Sequence, residues 1–305
     1  MESFVWDLNP TIMTLGPLQL RYYGLFFGAT LLFGYHFFQK RLMKYGFEKE
    51  TAENYLIKAV ISVIVGARLV HCLFYDPDYY LSNPLEILKI YKGGIASHGA
   101  AAGLFIVSMW FVYSYNKKRK IKNRKRKEKK SAPHMSFMHV GDSVVFAAAT
   151  GAMFVRIGNF FNSEIVGRVA KSGFGVKFLR YPPDFETARR AAAGVCDSGD
   201  IQSLIDYWPV RHPSQLYEAL GGLIVLLTLI IVDKKTADRK IPGLFSGLFL
   251  SIYFTFRFFI EFVKEYQTLE SSMLTMGQYL SIPFVVTGVC FIIRSLIHNH
   301  EKSST

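Results

Sequence analysis

Residues Val140–Arg168 read VGDSVVFAAATGAMFVRIGNFFNSEIVGR, an apolar run that ends in a cluster of polar and charged side chains. The apolar part approaches the length of about 20 residues that a helix needs to cross a bilayer. The polar part, from Arg156 to Arg168, then lies where such a helix meets water. Ionisable groups inside a membrane cost roughly 2.5 to 3.5 kcal/mol each at a helix centre. Because a chain retains them mostly where they bind something charged, this segment predicts a binding site for a lipid headgroup.

Apolar runs of similar length recur along the chain, in which half of the 305 residues are hydrophobic and the mean hydropathy is +0.21. A soluble protein of this size is usually more polar. Seven such runs in one chain argue against the alternative of buried core helices. We therefore predict an all-α polytopic membrane protein, a single membrane domain over residues 1–305 with about seven transmembrane helices. They lie near Tyr22–Gln39, Leu56–Tyr75, Ile95–Tyr115, Val140–Phe160, Gln215–Val232, Gly243–Val263 and Gly277–Leu296.

Basic residues mark one side of the predicted bundle. They follow the first, third and fifth runs, which an alternating topology places on the same side: Lys40, Arg41, Lys44 and Lys49; Lys117–Lys130; and Lys234, Lys235, Arg239 and Lys240. Short loops rich in Lys and Arg stay in the cytoplasm. The N-terminus is therefore predicted to be periplasmic and the C-terminus cytoplasmic.

The net charge of +13 comes mostly from the basic segment of residues 117–135. A run of this kind can bind nucleic acid. We favour a cytoplasmic anchor that fixes topology and attracts anionic lipid, at about 1 kcal/mol for each basic residue near the surface. No nucleic-acid partner is therefore predicted, and the segment is expected to be disordered.

The loop of residues 161–212, after the fourth run, predicts a small periplasmic head. Residues 173–180 alternate roughly in polarity, which is typical of a short strand. Pro182 and Pro183 are then expected to break the chain, and the Ala- and Arg-rich residues 185–195 are compatible with a short helix.

The unusual charges of the predicted spans lie towards the same outer side. Arg257 and Glu261 are four residues apart on the sixth run and share a helix face, with Tyr253 one turn earlier. They form either an ion pair that makes two buried charges tolerable or a clamp in which Glu261 directs Arg257 at a phosphate, and both can hold together. Arg156 and Glu164 lie at the outer end of the fourth run.

His98 lies at the outer end of the third run among small residues, KGGIASHGAAAG over 92–103. Small residues let helices or a substrate come close. A histidine there can accept a proton near neutral pH; the alternative is a structural, hydrogen-bonded histidine. Glu218, near the start of the fifth run, is interpreted as a residue that suits a helix N-terminus. The sequence has no nucleotide-binding loop, serine-hydrolase elbow or common metal motif.

Several segments together resemble the bacterial prolipoprotein diacylglyceryl transferase family. The segment Arg156–Arg168 matches the signature of that family, and the segments around His98 and from Tyr253 to Glu261 agree independently. Order and spacing match over nearly the whole chain, including Arg21–Gly24, Gly66–Arg68, Arg211–Glu218 and Leu274–Leu280.

The resemblance implies seven spans with an outside N-terminus, an activity and its partners. Members transfer the diacylglyceryl group of phosphatidylglycerol to the thiol of a lipobox cysteine in a prolipoprotein signal peptide, the first step of lipoprotein maturation. A thioether forms and glycerol phosphate leaves. The expected location is the bacterial cytoplasmic (inner) membrane, and no metal or organic cofactor is implied.

For this chain the resemblance implies a catalytic set and a substrate-binding set of residues. The first set is His98, Arg156, Arg257, Tyr23, Glu164 and Glu261, and the second is Arg156, Asn159, Gly167, Tyr253, Arg257 and Arg68. His98 is the candidate base for the thiol, and the arginines are expected to stabilise the charge that the leaving phosphate gains. Asn159, Glu164 and Glu261 would orient the arginines. The chain departs from the family pattern at Ser163, where Gly is common, and at Lys264, where many members have Arg; no role is assigned to Lys264.

Two other functions fit parts of the sequence. Arginines within the membrane and helices with small residues also suit a lipid or anion transporter. The charges cluster on one side, however, and no internal repeat is apparent. A membrane scaffold that recruits partners through its basic loop leaves the outer charges unexplained.

Overall fold

The computed structural model describes residues 4–16, 18–90, 93–94, 96–125, 133–171, 174–191, 204–236, 240–265 and 274–303. Helices account for most of this part of the chain. The long helices are α1 (Tyr22–Lys44), α2 (Lys49–Phe74), α4 (Ser97–Lys125), α5 (Phe137–Phe161), α7 (Ser214–Lys235), α8 (Leu244–Ile260) and α9 (Met276–Ser303). The short helices are α3 (Pro77–Ser82) and α6 (Pro182–Ala191), and 3₁₀ turns span Pro84–Leu88 and Ile205–Tyr207.

Each of the seven predicted apolar runs coincides with a long helix, although several helices extend beyond the run. Among the described residues, four helices (α2, α5, α7 and α9) have the length and composition to cross a membrane, and α8 is a shorter apolar helix. Large apolar side chains are exposed along these helices, as expected for surfaces that face lipid. A mostly helical, multi-pass membrane protein is thereby confirmed.

The chain forms two compact units, one of residues Phe37–Ser143 and one of residues 1–36 with 144–305. In the first unit, α2 and α4 are in backbone contact. A Cβ atom on Gly66 would overlap Gly99 O, and one on Gly103 would overlap Ser62 O. Small residues at helix interfaces allow such contact, which fixes the start of α4.

In the other unit, α7 packs closely against both α5 and α8 through two adjacent glycines. A Cβ atom on Gly222 would lie 2.7 Å from Met153 N, and one on Gly221 would lie 2.5 Å from the ring of Phe256. Because α7 lies so close to both neighbours, a long side chain one turn earlier on α7 can reach both of them.

Four short strands lie within the described residues, in addition to the helices that the all-α prediction named. β1 (Phe4–Trp6) pairs in parallel with β4 (Val176–Phe178), and β2 (Thr11–Leu15) pairs antiparallel with β3 (Leu18–Arg21). β4 lies inside the segment 173–180, where a strand was predicted. Its pairing with β1 attaches the N-terminal residues to the loop that follows α5.

The loop after α5 contains α6, which begins at Pro182. The two prolines therefore start a helix where a chain break was predicted, because the first turn needs no N–H donor from proline. Asp184 in this turn is fully buried and binds Arg211, with Oδ1 2.7 Å from Nη2. Burial raises the pKa of the Asp184 carboxyl, and the Arg211 guanidinium opposes that shift. Residues 192–195 of the predicted helix lie outside the described residues.

The basic segment after the third apolar run is partly helical. α4 continues to Lys125, so residues 117–125 differ from the disordered segment that was predicted. Lys and Arg are good helix formers, and they extend a helix that has already begun in the apolar part. Residues 126–132 lie outside the described residues. Shortly after them, Asn116 Nδ2 donates to Met135 O (2.8 Å) and ties the returning chain to α4.

Candidate active site

Glu218, near the start of α7, is the centre of a cluster of cations. Its Oε1 lies 2.7 Å from Arg257 Nη1 of α8 and 3.1 Å from Lys264 Nζ, and its Oε2 contacts Arg156 Nε of α5. The side chain of Glu218 is only 9% exposed. It reaches both helices because the glycines one turn later on α7 bring them close. One nearly buried carboxylate is therefore shared by three cationic side chains, which we call the Glu218 cluster.

Glu261 is a second carboxylate in contact with the Glu218 cluster. Its Oε2 lies 3.4 Å from Arg257 Nη2, so the predicted pairing of these two residues is present. The Cβ position of Gly277 lies 2.7 Å from the same oxygen, which places the first turn of α9 against this carboxylate. Counted together with Glu261, the three cations and two carboxylates carry one net positive charge.

Lys264 follows the end of α8 and is buried. Burial lowers the pKa of the Lys264 amine, Glu218 raises it, and Arg257 and Arg156 lower it further. Three cations thus crowd around one nearly buried carboxylate. A further anion at this position would relieve their mutual repulsion.

Asn159 and Glu164 connect Arg156 to the turn after α5. Arg156 Nη1 donates to Asn159 Oδ1 (3.3 Å), and Asn159 Nδ2 donates to Glu164 Oε1 (2.7 Å), which also accepts from Asn162 Nδ2 (3.2 Å). Gln215 Nε2 of α7 donates to Glu164 O (2.8 Å). Asn159 therefore contacts Arg156 directly, as its predicted orienting role requires. In the described part of the chain, Glu164 reaches Arg156 through Asn159 and forms no ion pair with an arginine.

The turn after α5 holds two residues in the left-handed region of backbone conformation. Ser163 has φ 53° and Ile165 has φ 56°. This conformation costs a residue with a Cβ atom about 1 to 2 kcal/mol. The Oγ of Ser163 is also buried and has no hydrogen-bond partner among the described residues. The turn that carries Glu164 is thus held in strained geometry, which explains why glycine suits position 163.

Ser163→Gly is expected to stabilise the protein by about 0.5 to 1 kcal/mol, since glycine adopts a positive φ without steric cost but is more flexible when unfolded. The thermal unfolding temperature of the detergent-solubilised protein measures this change. Ser163→Ala keeps the Cβ atom and separates the backbone contribution from loss of the unpaired hydroxyl. A Ser163→Gly variant that melts no higher than Ser163→Ala would show that the turn stores no backbone strain.

Gly167 lies where three segments of the chain meet. A Cβ atom there would lie 2.5 Å from His212 O and 2.7 Å from Val263 O. Next to it, Arg168 Nε donates to Lys264 O (2.5 Å). Glycine at this position therefore lets the turn after α5 bind the segment that carries Lys264. The contact of Gly167 with a headgroup stays a prediction.

Two tyrosines lie beside the cluster. Tyr23, near the start of α1, packs on α5, where the Cβ position of Gly158 is 2.8 Å from Tyr23 Cδ2. It lies within electrostatic range of Arg156. Tyr253 lies one turn before Arg257 and within electrostatic range of the Glu218 cluster. The unit of residues 1–36 with 144–305 therefore brings together most of the predicted site residues. They are Arg156, Arg257, Glu261, Asn159, Glu164, Tyr23 and Tyr253.

Arg68 belongs to the unit Phe37–Ser143, where it is 3% exposed. Among the described residues, its guanidinium donates to backbone carbonyls only, and the ring of Tyr80 lies 5.0 Å from its Cζ. The acceptors are Ile87 O (2.9 Å), Gly93 O (2.5 Å), Gly94 O (3.0 Å), Glu86 O (2.6 Å) and Lys89 O (3.4 Å). Arg68 therefore organises the loop between α3 and α4. The resemblance placed Arg68 in the substrate-binding set. Its burial and its bonds to carbonyl groups do not favour direct contact with a substrate.

His98 is the second residue of α4 and is exposed. Just before it, Ala96 N donates to Ala67 O (3.0 Å), so the loop that Arg68 organises leads directly into His98. The side chain of His98 makes no hydrogen bond to any residue that the structure describes. Within that part of the chain, nothing supports the alternative of a structural histidine held by hydrogen bonds, and the role of His98 as a base stays a prediction.

Arg68→Gln is expected to loosen the loop before α4, because buried carbonyl groups that lose their donor each cost about 1 to 3 kcal/mol. Hydrogen exchange, followed by mass spectrometry of peptides from residues 84–100, should become faster than in the wild type. Arg68→Lys keeps the charge but cannot donate to five acceptors. Its exchange rate should therefore lie between those of the wild type and Arg68→Gln. Unchanged exchange in Arg68→Gln would contradict the role assigned to this arginine.

Glu218 and Lys264 are the site residues that sequence reasoning missed. A glutamate near a helix start is common, because the helix dipole favours a negative charge there. A lysine just after an apolar run is also common, so neither residue indicates a site. The available signal was the position of Glu218 one turn before Gly221 and Gly222. Adjacent small residues indicate close helix contacts, and a carboxylate beside them is placed to pair with charges on neighbouring helices.

Comparison with known proteins identifies relatives along almost the whole chain. The sequence profile of the family described as Prolipoprotein diacylglyceryl transferase matches residues 10–294. Curated relatives include proteins named Phosphatidylglycerol--prolipoprotein diacylglyceryl transferase from three organisms. That of Tolumonas auensis is 32% identical over 292 residues (95% of this chain, 96% of the relative), that of Rickettsia bellii 35% over 295 residues (95% and 96%), and that of Bacteroides fragilis 34% over 304 residues (95% and 94%).

The matched range includes the Glu218 cluster, the turn after α5 and His98. The resemblance of single motifs therefore extends to nearly the whole sequence that contains them. By its sequence from residue 10 to residue 294, the chain belongs to the prolipoprotein diacylglyceryl transferase family.

Proposed function

We propose that this protein transfers the diacylglyceryl group of phosphatidylglycerol to the lipobox cysteine thiol of prolipoproteins, the first step of lipoprotein maturation. The Glu218 cluster is the observation that carries the proposal. A guanidinium donates paired N–H groups to a phosphodiester. The one net positive charge of the cluster with Glu261 also matches the single negative charge of a phosphodiester. The names of the relatives supply phosphatidylglycerol and prolipoprotein as the substrates.

The reaction is a displacement at a saturated carbon. The cysteine thiolate attacks the glycerol carbon that carries the phosphate, and a sulfur–carbon bond forms. The carbon–oxygen bond to the phosphate breaks, and the electron pair leaves with glycerol phosphate, whose phosphate gains a second negative charge. Arg156 and Arg257 stabilise this charge as it develops, and loss of one such donor typically costs about 2.7 to 4 kcal/mol in the barrier. No cofactor enters this scheme.

His98 is proposed as the base that accepts the thiol proton. An ordinary cysteine thiol has a pKa of about 8.5 and is mostly protonated at neutral pH. A neutral imidazole can accept that proton, and His98 is exposed at the start of α4. Tyr23 and Tyr253 are proposed to donate hydrogen bonds to the lipid.

We further propose seven spans in the bacterial cytoplasmic (inner) membrane, with a periplasmic N-terminus and a cytoplasmic C-terminus. The seven long helices and the basic residues at the ends of α1, α4 and α7 support this topology. The residues 161–212 then form the periplasmic head. The partners are the lipid bilayer, phosphatidylglycerol and the lipobox segment of prolipoprotein signal peptides, with no nucleic acid.

Mass spectrometry of a lipobox peptide, incubated with the purified protein and phosphatidylglycerol, tests the proposed function. The peptide should gain the mass of a diacylglyceryl group on its cysteine, and glycerol phosphate should appear in solution. A peptide with Ser in place of that cysteine should gain nothing, and His98→Ala should abolish the product while its circular dichroism stays unchanged. Movement of phosphatidylglycerol across vesicles without any covalent product would overturn the proposal in favour of a transporter.

A further inference from the structure

A groove lies at the opposite end of α4 from His98, in the unit Phe37–Ser143. The first turns of α2 and the last turns of α4 form its walls, and it encloses about 350 Å³. Lys118 in the groove lies about 30 Å from His98 along the axis of α4, at 1.5 Å per residue. The side chains that matter here are Asn54 and Lys58 of α2, with Phe111, Tyr115, Lys118 and Arg119 of α4.

The lining of the groove changes from aromatic to cationic along its length. Phe111 is buried, and Lys58 Nζ lies 5.8 Å from the centroid of its ring. The same amine donates to Asn54 O (3.0 Å), one turn closer to the start of α2. The stem of Lys58 therefore covers apolar surface while its amine is held towards the start of α2.

Two carboxylates also line the groove and reduce its charge. Glu48 precedes α2, and Glu50 lies in its first turn. The side chain of Glu48 makes no capping hydrogen bond, so it does not satisfy the first N–H groups of α2. The three cations (Lys58, Lys118 and Arg119) outnumber these two carboxylates by one positive charge. The start of α2 adds a partial positive charge. The groove is therefore net positive, which suits one phosphate group.

The surface beside the groove fits acyl chains. Ile57 and Ile61 continue the face of α2 that begins with Asn54, and they are 61% and 57% exposed. On α4, Ile106 and Trp110 are also exposed. Large apolar side chains with this exposure indicate contact with lipid. A charged pocket that is continuous with an apolar strip has the shape of a phospholipid site.

We propose that this groove binds one anionic phospholipid from the leaflet at the basic end of α4. Its phosphate lies between Lys58, Lys118 and Arg119, and its acyl chains lie along Ile57 and Ile61. The Glu218 cluster takes no part in this site, so the proposal stands whether or not the transfer reaction occurs as described above.

Native mass spectrometry of the full chain, titrated with phosphatidic acid and separately with phosphatidylethanolamine, tests this proposal. The wild type should retain phosphatidic acid in preference to phosphatidylethanolamine. The Lys118→Gln/Arg119→Gln protein should lose its tightest-bound phosphatidic acid molecule. Its apparent affinity for that molecule should be about 10- to 30-fold weaker than in the wild type. Its rate of thioether formation at saturating phosphatidylglycerol should equal that of the wild type.

Lys117→Gln/Lys120→Gln is the matched control, because it removes the same charge from the same part of α4 outside the groove. This pair should keep the wild-type affinity for phosphatidic acid. If both double variants lost the same affinity for phosphatidic acid, the effect would come from the total charge of α4, and the proposed site would be overturned. Equal retention of phosphatidylethanolamine and phosphatidic acid by the wild type would overturn its preference for anionic lipid.

Discussion

Arg156→Gln should lower kcat/KM for diacylglyceryl transfer about 100- to 1,000-fold, the usual consequence of losing a donor to a developing negative charge. Glu218 and Asn159 hold Nε and Nη1 of this arginine. Its Nη2 has no acceptor among the described residues, and we propose that this nitrogen binds the phosphate. The rate of thioether formation on a lipobox peptide, measured by mass spectrometry over a range of phosphatidylglycerol concentrations, gives kcat/KM.

Arg180→Gln is the matched control for Arg156→Gln. Arg180 is a partly exposed arginine that pairs with Asp7, so the same chemical change there should leave transfer at the wild-type rate. Arg156→Lys should fall between the wild type and Arg156→Gln, since an ammonium keeps the charge but loses the paired donors. A folded Arg156→Gln protein with full activity would contradict the role of this arginine.

Glu218→Gln should reduce the free energy of unfolding by about 3 to 5 kcal/mol, because it leaves buried cations without their carboxylate. Arg257 and Lys264 both lose the partner of their shortest ion pair. The thermal unfolding temperature in detergent measures this loss. Phosphatidylglycerol should raise that temperature more for the variant than for the wild type, since its phosphate can replace the missing charge.

Glu186→Gln provides the control for Glu218→Gln. Glu186 is exposed on α6 and lies 4.0 Å from Arg189, so its loss should change the unfolding temperature little. If Glu218→Gln melted at the wild-type temperature, the shared carboxylate would not stabilise the cluster.

Part of the site could be predicted because charges in apolar runs are rare and costly. Arg156, Arg257 and Glu261 stand out for that reason, and the spacing of four between the last two indicates their pairing. Glu218 could not be recognised in this way. Its role depends on how closely α7 packs between α5 and α8, and that packing joins segments far apart in sequence.

Arg68 shows a second limit of sequence reasoning. A buried arginine in a membrane segment indicates a partner, but the residue type does not tell whether that partner is a phosphate or a carbonyl group. The loop between α3 and α4 supplies the carbonyl groups, and only the folded chain shows it.

The helices could be predicted from hydropathy, because each must satisfy its own backbone within the membrane. The strands at the N-terminus could not, since β1 pairs with β4, which lies 172 residues later in the sequence (Phe4 with Val176). Local composition also misled the interpretation at Lys117–Lys125. A run of like charges suggests disorder on its own, yet here it extends a helix that is already formed.

Solid-state NMR on arginine-labelled protein in bilayers tests most directly whether the Glu218 cluster binds the phosphodiester of phosphatidylglycerol. We expect dipolar recoupling between lipid phosphorus and guanidinium nitrogen in the wild type and in Arg180→Gln. The signal should fall in Arg156→Gln/Arg257→Gln to the part contributed by Arg119 of the groove between α2 and α4, and it should be lost when Lys118→Gln/Arg119→Gln is added. Absence of recoupling in the wild type, or an equal signal in the double variant, would contradict binding at this cluster.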